Sequence, residues 1–156
     1  MLSIGVDVGA TKIASALVRR DGVVLEARKV PTPVEAGLAV TLDRIASEIA
    51  QLQEIAVQFE TGASAGRVGV GIGTPGQVDS DAGVVYNAVN LAWEEVRLVD
   101  EMRRRLGVDL PVWIQKDANA SALGEHYFGS AVDCDDFVYL SIGSGLGGGL
   151  ITGGRL

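Results

Sequence analysis

The chain has 156 residues, 47% of them hydrophobic and 21% charged, and carries a formal net charge of −7. That size and balance suit one globular domain, and the acidic surface argues against a phosphate-backbone partner such as DNA, which needs a positive face. A single cysteine, Cys134, and a single histidine, His126, exclude an internal disulfide, fit a reducing cytoplasmic setting and argue against a zinc site within the chain.

The N-terminus lacks the basic start of a signal peptide, and no apolar run approaches the ~18 residues that span a bilayer, so no membrane role is expected. Residues 2–8, 13–18 and 23–30 read as three strands, the last two joined by the turn Arg20-Asp21-Gly22. Pro31 and Pro33 then break the pattern. Apolar residues at 38, 42, 45, 49, 52, 55 and 59 recur at helical spacing and predict one amphipathic helix over 34–59. A small-residue loop over 62–66 leads into a strand at 68–72, closed by Gly73-Thr74-Pro75-Gly76. The run "QVDSDAGVVY" reads as a hairpin turning at Asp81-Ala82-Gly83.

Val96, Val99, Met102 and Leu106 mark a second helix, with Arg103-Arg104-Arg105 in a last turn that Gly107 ends. A strand at 112–115, a third helix at 117–128 and a strand at 137–142 follow, and a Gly-rich turn leads to one more strand. The order is an α/β plan, βββαβαβ. A weak internal repeat supports two related units: "SIGVDVGATKIASALVRRDG" opens the chain and "VYLSIGSGLGGGLITGGRL" closes it, each a strand, a bare turn and a departing strand.

The first turn, Asp7-Val8-Gly9-Ala10-Thr11-Lys12, exposes backbone N–H groups and a hydroxyl suited to phosphate oxygens. Lys12 adds positive charge, and Asp7 suits a hydrated magnesium ion. Gly143-Ser144-Gly145 offers a second bare turn with its own hydroxyl. Gly-rich turns between strands are common without any ligand. Neither turn has the GxxxxGK[ST] pattern or opens a helix as a dinucleotide-binding loop does.

Asp117 stands where a strand gives way to a helix. It is a helix cap on one reading. On the other it is a carboxylate at the carboxyl end of a strand, placed to take the proton of an attacking hydroxyl, with Lys116 beside it.

"IGVDVGATKIASALV", "GVGIGTPGQVD", "GVVYNAVNLAW", "KDANASALGE" and "LSIGSGLGGGLITGG" occur here in the order of the ROK family (repressors, open reading frames, sugar kinases), which the whole chain resembles. The resemblance implies the actin-like, ribonuclease H-like ATPase fold, with a first domain over 1–135 and the opening strands of a second over 136–156. It implies an ATP- and Mg2+-dependent hexose kinase. Asp7, Gly9, Thr11 and Lys12 match the first phosphate turn, with Asp7 holding magnesium through water. Gly143, Ser144 and Gly145 match the second, where Ser stands for the commoner Thr. Gly76 and Asn90 lie in segments that line the sugar pocket, and Asp117 matches the catalytic base.

Two departures from the family pattern stand out. Lys116 occupies the place of an Asn whose amide holds sugar hydroxyls, and lysine has donors but no acceptor. The segments that supply a sugar-binding Glu and His, a zinc site and the adenine pocket lie beyond Leu156 in the family pattern. This chain is therefore expected to be the N-terminal half of such a kinase, inactive alone, with a non-catalytic sugar-binding or interaction domain from a ROK kinase or regulator as the alternative. The expected partners are a sugar and ATP, with self-association or pairing with a complementary half.

Overall fold

A computed structural model of the chain describes residues 1–59, 68–107, 110–143 and 145–156. The loop expected at 62–66 lies outside the described residues. Two compact units are present, Met1–Gln115 and Lys116–Leu156.

The first unit opens with β1 (Leu2–Val8), β2 (Lys12–Arg19) and β3 (Val24–Pro31) as an antiparallel meander. Strict alternation in β1 buries Leu2, Ile4, Val6 and Val8 and turns Ser3, Gly5 and Asp7 outward. Helix α1 (Leu38–Ala56) carries the crossover towards β4 (Gly69–Thr74), which pairs parallel to β1. A meander of β5 (Gln77–Asp79), β6 (Val84–Ala88) and β7 (Trp93–Val96) forms a separate three-stranded sheet. Helix α2 (Leu98–Leu106) and β8 (Val112–Lys116) follow. The main sheet runs β3-β2-β1-β4-β8, as the βββαβαβ plan requires.

The core forms where α1 meets the sheet: Leu42, Ile45, Ile49 and Leu52 pack on Ile4, Ile13, Leu17 and Ile72. From α2, Leu98 and Met102 join the same core. Glu48 projects from this face of α1 and is only 2% exposed, and its Oε2 accepts a hydrogen bond from Arg28 Nε of β3 at 2.8 Å. The same guanidinium donates to Gln51 Oε1 at 2.6 Å. A buried carboxylate is tolerated here because it is paired.

Among the element bounds that differ from the sequence reading, two stand out. The helix predicted over 34–59 starts at Leu38, because Gly37 adopts φ +93 after a short 3-10 turn at Val34–Ala36. Val96 belongs to β7, opposite Val85, and not to α2. As expected, all three arginines lie in the last turn of α2, which Gly107 ends at φ +64.

In the second unit, helix α3 (Asp117–Phe128) packs on a hairpin of β9 (Phe137–Ile142) and β10 (Leu146–Ile151). The units part at 115/116, so α3 groups with the strands that follow it. The contact is close because it is built from small residues. Ala118 and Ala122 of α3 are buried above Gly147 and Gly149 of β10. Asp136 ties the hairpin ends, accepting from the Thr152 hydroxyl at 2.8 Å and from Gly153 N–H at 3.0 Å. The Gly153 and Thr152 bonds hold its carboxyl below the usual range. The other hairpin face is apolar and uncovered: Val138, Leu140, Ile142, Leu146 and Leu150 are all exposed. Register pairs Ile142 with Leu146 and Val138 with Leu150, so these side chains share one surface.

Candidate phosphate turns and acidic helix start

The turn between β1 and β2 is set by its backbone. Gly9 N–H donates to Lys12 O at 2.9 Å, and a Cβ on Gly9 would lie 3.1 Å from that oxygen, so the turn closes best without a side chain there. Asp7, Thr11 and Lys12 are all exposed around it. The four residues predicted for the first phosphate turn are thus brought together at the carboxyl end of β1, where ligands meet open α/β sheets. One residue that no sequence signal marks also reaches this turn. Thr32 donates its hydroxyl to Gly9 O at 2.6 Å and its N–H to Thr11 O at 3.2 Å.

Gly76 and Asn90 belong to the three-stranded meander. Gly76 has φ +102, and a Cβ there would fall 2.7 Å from Tyr86 O and 3.0 Å from the Ala88 Cβ. Strand β6 passes too close for any other residue. Asn90 is exposed in a 3-10 turn, Val89–Leu91, that starts directly after Ala88. Asn87 and Ala92 flank this turn in left-handed conformations, φ 51 and φ 57, unusual for residues other than glycine.

In the second unit, Lys116 is extended and Asp117 is the first residue of α3, half-buried. Asp117 Oδ1 accepts the N–H of Ala118 at 2.7 Å. The carboxylate thus satisfies one open amide of the helix start and also lies within the favourable field of that terminus. Gly143 and Gly145 are exposed, with Gly143 N–H donating to Gly145 O at 2.9 Å, while Ser144 lies outside the described residues. Among the described residues no three His, Cys, Asp or Glu side chains gather. A divalent ion at Asp7 would therefore take most of its shell from water and phosphate. That donor set suits magnesium, which retains its waters and uses one or two carboxylates.

The ROK family model matches residues 3–156. The chain is 40% identical over 157 residues to a glucokinase of Streptomyces coelicolor, covering 99% of this chain and 45% of that protein. It therefore spans about half the length of the relatives it matches. A ROK family glucokinase from Streptomyces griseus, solved in complex with glucose and AMPPNP, superposes with a TM-score of 0.82 at 39% identity, over 99% of this chain and 46% of that one. A ROK family transcriptional regulator, a homolog of the E. coli MLC protein, superposes with a TM-score of 0.79 at 28% identity, over 99% and 37% respectively. The mixed α/β sheet with its helices is thus the actin-like ATPase fold of these neighbours. No helix among the described residues is long and apolar enough to cross a membrane.

Proposed function

Because the chain belongs to the ROK family, we propose that it is the N-terminal part of a cytoplasmic ATP-dependent sugar kinase that moves the γ-phosphoryl group of ATP to a hexose hydroxyl. The observation that carries this reading is the exposed trio Asp7, Thr11 and Lys12 around a turn that Gly9 leaves bare.

Lys12 and the Thr11 hydroxyl hold phosphate oxygens, and Gly143, Ser144 and Gly145 supply a second set of donors. Asp7 would hold magnesium through water. When bound, the ion neutralises charge on the β- and γ-phosphates. Gly76, Asn90 and Lys116 serve the sugar. Asp117 orients the attacking hydroxyl: its Oδ1 is held by Ala118 N–H, and the other oxygen takes the proton as the new O–P bond forms and the bond from the γ-phosphorus to ADP breaks. Orienting that hydroxyl is its main service.

A second reading is a sugar-binding regulator or interaction domain without catalysis. Lys116 favours it, since a lysine cannot accept from sugar hydroxyls as the usual amide does. The apolar hairpin face supports self-association or pairing with a complementary half under either reading.

Asp117→Asn separates the alternatives. Asparagine keeps an oxygen for Ala118 N–H but takes no proton. In an active form that carries this sequence, the variant should melt like the parent while transfer falls by about 10²- to 10⁴-fold in an ADP-release assay over glucose, fructose, mannose and N-acetyl sugars. Intact transfer with lowered stability would reduce Asp117 to a helix cap.

A further inference from the structure

We propose that Thr32 is a positioning residue for phosphate binding at the turn between β1 and β2, an inference that rests on the phosphate reading of that turn. Thr32 follows the last residue of β3 and touches the turn twice, through its hydroxyl to Gly9 O and through its N–H to Thr11 O. Gly9 N–H engages Lys12 O. The carbonyl oxygens of Gly9, Thr11 and Lys12 are therefore all drawn onto protein donors.

That matters for an anion. N–H groups attract phosphate, whereas a carbonyl dipole turned outward repels it. In a trans peptide the C=O and the next N–H point in opposite directions, and no peptide bond here is cis. Holding Gly9 O against Thr32 thus aims the Ala10 N–H away from Thr32, to the side where a ligand can meet it. Gly9 has no Cβ to resist a flip of that peptide plane, so the restraint has to come from outside the turn. Thr32 supplies it, and its own backbone is stiffened by Pro31 before it and Pro33 after it. The otherwise unexplained run Pro31-Thr32-Pro33 acquires a purpose: a rigid bracket behind a bare turn.

The test is an NMR titration of the 15N-labelled chain with Mg·ATP and, separately, with inorganic tripolyphosphate, following the Ala10 and Thr11 amides. Thr32→Val removes the hydroxyl and keeps the shape and the N–H. It should weaken both ligands about three- to tenfold and change the exchange rate of the Ala10 amide, while Thr32→Ser restores both. Thr32→Cys, a weaker donor, should fall between them and serves if the valine variant does not fold. Wild-type affinity in a folded Val or Cys variant, with Lys12→Ala weakened, overturns the role of Thr32 and leaves the phosphate reading standing. Absence of any shift at the turn in the parent chain overturns the phosphate reading, and this inference with it.

Discussion

Gly149 lies so close beneath Ala122 that a Cβ added to the glycine would stand 2.7 Å from the alanine Cβ, and equally 2.7 Å from the Ala118 carbonyl oxygen. Neither neighbour can yield easily, because one is helix backbone and the other is a short side chain fixed to it. Gly149→Ala should therefore force α3 off the hairpin and cost about 1–3 kcal/mol of stability by denaturant unfolding. Gly148→Ala is the control: its Cβ would meet nothing closer than Tyr139 O at 3.4 Å. Equal losses for the two variants would mean that strand propensity, and not helix approach, governs β10.

The pair Arg28–Glu48 makes an asymmetric prediction. Arg28→Leu strands a carboxylate that is 2% exposed, and should cost about 3 kcal/mol. Glu48→Leu leaves a partly exposed guanidinium that water can still reach, and should cost less. The double variant should recover most of the Arg28→Leu loss. Equilibrium unfolding of the three proteins decides it, and identical single losses would show that water reaches Glu48.

The β2–β3 turn titrates far below neutrality. Bonding from Arg19 and from Val23 N–H lowers the Asp21 carboxyl from 3.8 to about 2. A depressed folded value means that the charged form is favoured by folding. The stabilisation is therefore complete above about pH 4 and is lost as pH falls through about 2. A carboxyl 13C titration should show a midpoint near 2, and Arg19→Ala should return it towards 3.8. An unchanged midpoint in that variant would assign the shift elsewhere.

Lys116→Asn tests the sugar site. An amide at the end of β8 offers both donor and acceptor to a hexose hydroxyl, so glucose binding should tighten about three- to tenfold. Calorimetry on parent and variant measures this. A loss of affinity would show that the lysine serves the sugar better than an amide does.

The strands β1, β2 and β9 were legible because alternation or short apolar runs mark them, and α1 because its apolar spacing survives as the buried row Leu42, Ile45, Ile49 and Leu52. Its start was misjudged because Val34 continues the pattern while Gly37, at φ +93, breaks the backbone. Strand β7 was missed for a related reason: Ala92 makes the preceding turn in a left-handed conformation that sequence rules assign to glycine or asparagine. The burial of Glu48 follows helical spacing from Ile45, but its partner lies 20 residues away on another element, and no local pattern reports that. Of the site, the bare first turn could be read from its glycine and hydroxyl residues. Thr32 could not, because its role is made by where β3 ends in space.

The uncovered face of the β9–β10 hairpin has a calorimetric consequence. Whatever comes to lie on Val138, Leu140, Ile142, Leu146 and Leu150 will displace water from aliphatic carbon, since the positions of β9 and β10 that share this face are all aliphatic or glycine. Burial of this kind lowers the heat capacity and, near room temperature, is driven by entropy. Association through this face should accordingly strengthen on warming from the cold and release little heat at 25 °C, the reverse of a contact held by hydrogen bonds.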